Sequence, residues 1–336
     1  MDSHYKMNMF LIISIYGFLM MFLPLQISCS TDTISTNQSL SGDQTLVSSG
    51  GVFELGLFLP GNSRSLYLGI WYNRTRMSFH GLIIWSSAGF DSPSGVDVQM
   101  VLLDNGNLVL RDGNNSILWQ SFDNPSDTWL PGAKIRLANT DLETRGMFLT
   151  SWNALDDPSL GRYSLRFDHD GKENSLVIFT NGTKPYWSSG AWDDRLRIFR
   201  QVRFNGNLSF EFNLSESYVT YSVRNQNLFR FVMDVSGQLM AYSWLEKQKI
   251  WESSWSAPEE LCMIYGYCGS FGICHDNSSC TCAPSFRRPL LQGSNDSSAG
   301  CISEFSVDEN QCGEKDDKFL PLENMKLASD PEERDP

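Results

Sequence analysis

Short runs of alternating or continuous apolar residues, each closed by a turn, fill the chain from Thr31 to Trp255. Val52 to Phe58 and Tyr67 to Tyr72 are aromatic and aliphatic, and Pro60-Gly61-Asn62 separates them. Val98 to Leu103 runs into Asp104-Asn105-Gly106, and Asn107 to Leu110 runs into Asp112-Gly113. Asn-Gly and Asp-Gly turns between apolar runs predict hairpins, because such turns need positive φ. The grammar continues through Gly161 to Phe167, Leu176 to Phe179, Leu208 to Phe212, Tyr218 to Val223 and Leu228 to Val235, with turns at Asp170-Gly171 and Asn181-Gly182. No long stretch keeps a helical apolar period, so the expected class is all-β.

The first 30 residues follow another pattern. Lys6 precedes an apolar stretch from Met9 to Leu25, and the small residues Ser28 and Ser30 follow, which reads as a cleaved signal peptide over 1–30. No later segment is apolar enough for a span of about 20 residues, so the mature chain is expected in the extracellular space without a membrane span. Eight Asn-x-Ser/Thr sequons, at Asn37, Asn73, Asn114, Asn181, Asn207, Asn213, Asn277 and Asn295, predict a glycoprotein. The net charge of −13 excludes nucleic acid and anionic lipid as partners, since both need basic patches.

Six cysteines, Cys262, Cys268, Cys274, Cys280, Cys282 and Cys301, crowd into 40 residues, with intervals of five, five, five, one and eighteen. A segment so short cannot bury a sufficient core, and in an exported chain the cluster predicts disulfide staples. The Cys-x2-Cys knuckles of a zinc site do not occur, so no metal or cofactor is expected. Six cysteines allow 15 pairings, which spacing does not resolve. Loss of Cys29 with the leader leaves Cys312 over, as a free or intermolecular thiol.

The single residue between the fourth and fifth cysteines resembles an EGF-like repeat. The run from Trp119 to Gly132, Trp-Gln-Ser-Phe-Asp-Asn-Pro-Ser-Asp-Thr-Trp-Leu-Pro-Gly, resembles the segment that closes the bulb-type lectin domain of plant S-domain receptor-like kinases and S-locus glycoproteins. Leu149 to Trp152, Asp156 to Ser159, Tyr186 to Trp192 and Tyr267 to Cys274 are similar to later parts of those proteins, in order. The resemblance implies a bulb-type lectin β-prism over 31–135, an S-locus glycoprotein domain over 136–258, an EGF-like module over 259–302 and an acidic stub of a PAN-type region over 303–336. It also implies the pairs Cys262 with Cys274, Cys268 with Cys280 and Cys282 with Cys301.

The chain departs from that family in three places. Mannose-binding strands of bulb-type lectins carry Gln-x-Asp-x-Asn-x-Val-x-Tyr, a set of fixed donors and acceptors that suits a sugar. Leu103, Asn105, Asn107, Val109 and Arg111 stand here instead, so the carbohydrate site is degenerate and Asn105, Asn107 and Val109 are its remnants. The segment after Tyr72 is short, as though roughly a third of the prism were missing, which would expose edges and apolar faces. No glycine-rich phosphate loop, His-Arg-Asp loop or Asp-Phe-Gly occurs, so the kinase activity of relatives is not expected. A hydrolase is disfavoured too, because His80, His169 and His275 are scattered. The expected function is recognition and signalling, as in pollen recognition, through an extracellular peptide, protein or glycan, a second copy or a related receptor kinase. The alternatives are a mannose-type lectin and a receptor-kinase fragment without function.

Overall fold

The computed structural model describes residues 31–61, 65–73, 83–87, 97–137, 148–169, 174–190, 199, 202, 208–213, 215–224, 228–289 and 300–304. The leader, Trp192, Asn207, Asn295, Cys312 and the acidic tail lie outside the described residues. Within them the fold is all-β, and every pair of neighbouring strands runs antiparallel. Ser121–Asp123 and Leu261–Met263 are short 3-10 turns.

Two four-stranded sheets form the N-terminal region. One has the order Thr33–Ser35, Val98–Leu102, Leu108–Asp112, Ile117–Gln120, and the other Thr45–Val47, Phe53–Phe58, Tyr67–Tyr72, Ile83–Ser87. Period-2 alternation turns Leu102, Leu108, Leu55 and Ile70 inward, where they meet Leu46, Phe53, Tyr72 and Leu130 in one core. Two further members of that packing, Leu228 and Trp251, come from far along the chain.

Three sheets form the second region around a larger core. Lys184–Ser188, Asn174–Thr180, Asp157–His169 and Leu149–Ala154 make the first. Ile135–Arg136, Tyr218–Val223 and Leu208–Asn213 make the second. The third runs Ile250–Ala257, Leu239–Leu245, Phe229–Met233, Thr128–Trp129. Each contributes to the same interior: Leu165, Phe167 and Ile178 from the first, Val219 and Tyr221 from the second, Trp129, Phe231 and Leu239 from the third. Thus Thr128–Trp129 and Ile135–Arg136, which close the expected lectin span, add to sheets built with residues 208–257.

The cysteine-rich segment carries two small hairpin-like pairs, Gly272–Cys274 with Cys280–Cys282 and Phe286–Arg287 with Ile302–Ser303. Its bonds are Cys262–Cys274, Cys268–Cys280 and Cys282–Cys301, with Cα–Cα separations of 5.6, 5.5 and 5.7 Å. These are the pairs that the resemblance implies. The sulfurs of Cys268, Cys274 and Cys280 lie within 4.8 Å of one another because two of these bonds are adjacent, and bonded sulfurs are not thiolate ligands.

Candidate functional site

The remnant sugar strand starts in the turn before Leu108–Asp112. Leu103 N–H donates to the Asn107 carbonyl at 2.9 Å, and Gly106 N–H donates to the Leu103 carbonyl at 3.0 Å. Gly106 has φ of +86°, and a Cβ there would stand 2.6 Å from Leu130 Cδ1, so the turn needs glycine for both conformation and space. Exposed Asn105 accepts from the Asn107 N–H at 3.0 Å, an Asx turn that fixes the entry to the strand.

Asn107 itself faces inward and is 5% exposed. Its Nδ2 donates to Gln120 Oε1 at 2.8 Å, while its Oδ1 accepts from Ser121 Oγ and from the Phe122 N–H, both at 3.1 Å. Ser121 Oγ in turn accepts from the Leu108 N–H at 2.9 Å, and Gln120 Nε2 donates to Asp123 at 2.8 Å. Every polar atom of the Asn107 side chain therefore has a protein partner, as burial demands. Val109 is buried in register with Val101 and Gln120, and Arg111 reaches across its sheet to Gln99 at 3.3 Å. The structure thus brings the three remnant residues together on one strand and its turn. It leaves Asn105 as their polar side chain at the surface.

The fourteen-residue signature ties the two regions together. Gln120, Ser121 and Phe122 bind Asn107 of the first region, and five residues after Phe122 the Asp127 carbonyl of the same segment accepts from the Met233 N–H at 2.7 Å. Trp129 Nε1 donates to the Ala133 carbonyl at 2.9 Å, and Tyr221 Oη donates to the Trp129 carbonyl at 2.8 Å. Between Gly106, Ser121, Pro125, Thr128, Leu130 and Ala133 remains a cavity of about 20 Å³, the size of one water and far below the room a sugar needs.

One cluster escaped the sequence reading. Arg230, 3% exposed, lies with its guanidinium 4.7 Å from the Trp251 ring and 5.6 Å from the Tyr242 ring. Trp251 packs on Tyr72 with centroids 4.9 Å apart, so the cluster joins the two regions. Burial lowers the Arg230 pKa, and the charges of Tyr72 and Asp127 work against that change. Burial also pushes the Asp127 carboxyl up to about 7, opposed by the Thr128 hydroxyl, the Arg230 charge and the Ser126 hydroxyl. The signal in the sequence was a lone cation inside the apolar run Phe229-Arg230-Phe231-Val232-Met233. Buried charges of this kind are held by partners and stacked rings rather than by chemistry on a substrate.

The sequons separate into three groups. Asn37, Asn114, Asn181 and Asn277 are exposed on turns or strand ends, Asn73 and Asn213 are half-buried, and Asn207 and Asn295 lie outside the described residues.

Comparison with known proteins gives matches to two families. The D-mannose binding lectin family matches residues 74–153, and the S-locus glycoprotein domain family matches residues 187–289. A G-type lectin S-receptor-like serine/threonine-protein kinase of Arabidopsis thaliana is 44% identical over 399 residues, covering 97% of this chain and 45% of its own length. A second with that description, from the same plant, is 44% identical over 354 residues, covering 91% of this chain and 41% of its own. The receptor-like serine/threonine-protein kinase SD1-8 of Arabidopsis thaliana is 34% identical, covering 92% and 40%. This chain therefore spans less than half the length of these relatives. Among solved structures, the Japanese Marasmius oreades lectin is 16% identical over 48% of this chain and 92% of its own, with a TM-score of 0.14, a likeness too slight to build on.

Proposed function

The chain belongs to the S-domain family of G-type lectin receptor-like kinases, and from that premise we propose that it is an exported recognition glycoprotein. It binds an extracellular peptide, protein or glycan, or the ectodomain of a related receptor, and so takes part in cell-surface signalling of the pollen-recognition type. The kinase activity in the relatives' names is theirs and is not carried over. Three disulfides in one short module and exposed sequons support an oxidising, glycosylating route.

The observation that carries this reading over a mannose lectin is the placement of Asn107. A sugar hydroxyl gains affinity by replacing its water with fixed protein donors and acceptors. Asn107 is buried, its Oδ1 accepts from Ser121 and Phe122 and its Nδ2 donates to Gln120, so its side chain is turned into the protein and away from a sugar at the surface. Recognition then falls to other surfaces, including disulfide pairing through Cys312 with a second copy or a related receptor.

The test uses protein recovered from the apoplast of expressing plant cells. Calorimetric titration with mannose is expected to give no heat of binding at millimolar sugar, while immobilised ectodomains of related receptors capture the protein. On non-reducing gels dimers are expected in wild type and absent in Cys312→Ser. Millimolar mannose binding that vanishes in a folded Asn107→Ala variant would promote the lectin reading, and failure of every ectodomain to bind would sink the recognition reading.

A further inference from the structure

An edge strand of a sheet is a template for another chain, and proteins blunt such edges with charge, proline, bulges or brevity. Edge strands whose side chains are described here follow that rule. Lys184–Ser188 opens on exposed Lys184 and then Pro185, Leu208–Asn213 exposes Glu211, and Ile250–Ala257 exposes Glu252. Leu149–Ala154 is broken by register shifts, Thr33–Ser35 and Thr45–Val47 are three residues long, and Thr128–Trp129 and Ile135–Arg136 are two.

Ile117–Gln120 shares one such register shift, between its pairings with Leu110 and Arg111, but it differs from these edges in presenting two adjacent exposed apolar side chains with no charge or proline among them. It is the outer strand of its sheet and exposes Ile117 at 58% and Leu118 at 45%. What stands beside it is a sequon. Asn114-Asn115-Ser116 occupies the hairpin turn that leads into the strand, and the turn is firmly built. The Asp112 carboxylate accepts from the N–H groups of Asn114 at 2.9 Å and Ser116 at 2.8 Å, and Asn115 takes the left-handed conformation with φ of 64°. Asn114 is exposed and lies three residues from Ile117, within about 10 Å along the chain.

We propose that an N-linked glycan on Asn114 covers the apolar edge at Ile117 and Leu118 and prevents that strand from pairing with a second chain. The glycan is bulky and hydrated, and the rigid turn holds its root beside the strand. It supplies at this edge what Lys184, Pro185, Glu211 and Glu252 supply at the others. The inference rests on the exported-glycoprotein reading above.

The experiment compares wild type, Asn114→Gln, Ser116→Ala and Asn114→Gln/Ile117→Lys, all in a Cys312→Ser background so that disulfide-linked pairs do not contribute. Each is expressed for secretion in plant cells, mapped by glycopeptide mass spectrometry and sized by gel filtration with light scattering. The expected result is a glycan on Asn114 and a monomer in the parent. Both single sequon variants should shift to dimers and larger species or be retained in the cell, and Ile117→Lys should return Asn114→Gln to a secreted monomer. Three results would overturn the proposal: Asn114 bare while Asn37, Asn181 and Asn277 carry glycans, sequon variants that remain monomeric, or a defect that Ile117→Lys does not relieve. Bare asparagine at all of these sites would instead sink the export reading, and this inference with it.

Discussion

The two β regions close their interiors differently. The second surrounds its core with three sheets and fills it with aromatic rings: Phe231 alone has ring neighbours Phe229, Tyr221, Phe199, Trp129, Phe210 and Trp255 at centroid distances of 5.1 to 6.2 Å. The first has two sheets among the described residues and a smaller, mostly aliphatic core, completed by Leu130 from the signature and by Leu228 and Trp251 from the second region. A core with two sheets around it, as among the described residues of the first region, buries less apolar area than one with three, and burial is the main favourable contribution to folding. The first region therefore leans on the second, while the second stands mainly on its own residues.

The comparison predicts unequal damage. Phe231→Ala removes the ring at the centre of the second core, where Phe231 is 0% exposed, and large-to-small changes at such sites cost about 3–5 kcal/mol. Because the first region depends on the second, both should lose hydrogen-exchange protection together, with a lowered melting temperature and secreted yield. Persistence of protection in Phe53–Phe58 and Tyr67–Tyr72 would break the dependence.

A smaller effect is expected from pH at the joint between the regions. The Asp127 carboxyl is raised by burial from 3.8 to about 7 in the folded protein. Between those values the folded state holds a proton that the unfolded state has released, so this group's contribution is full below about pH 4 and is lost as pH rises to about 7. Wild type should therefore lose stability relative to Asp127→Asn over that window, and the difference should level off above it. Denaturant titrations of both proteins from pH 4 to 8 check the sign; a gap that runs the other way would mean that the Arg230 charge outweighs burial.

Next in size is Asn107→Ala. It leaves the buried Ser121 hydroxyl and the Phe122 N–H without their acceptor and Gln120 without its donor, at about 1–3 kcal/mol. Faster exchange should centre on the Leu108 N–H, which Ser121 holds. A melting curve unchanged from wild type would mean that Asn107 is not the tie described above.

Much of this architecture could be read from the chain. Hairpin turns at Gly106 and Gly182, both at positive φ, sit where Asn-Gly dipeptides predict them, because a turn of that hand leaves few other choices. The all-β class followed from period-2 alternation, which is a local property. The sharing of strands between regions was not legible: Thr128–Trp129 pairs with Phe229–Met233 about 100 residues on, and nothing local in Thr128 or Trp129 names that partner. The role of Asn107 was hidden for a similar reason. An asparagine aimed at solvent and one bonded to a 3-10 turn thirteen to fifteen residues later have the same neighbours in sequence. Arg230 was visible as an oddity in an apolar strand, but only folding reveals that Trp251 and Tyr242 receive it.

The smallest expected change is the most discriminating. Trp251 belongs by strand to the second region, yet its ring meets Tyr72 of the first at 4.9 Å and Trp244 of its own sheet at 5.6 Å. It is only half-buried, so Trp251→Ala should cost about 1–2 kcal/mol, below the range for a fully buried ring. The location of that loss matters more than its size. Tyr72 would lose the ring that covers it, and Arg230 would lose one of the two faces on which its charge rests. The rings around Phe231 would keep every partner, since Trp251 is not among them. Hydrogen exchange should therefore quicken in Phe53–Phe58 and Tyr67–Tyr72, and stay slow in Asp157–His169 and Asn174–Thr180. If the mutation instead loosens its own region and spares the first, the two-sheet core closes without help and the dependence argued here runs in the wrong direction.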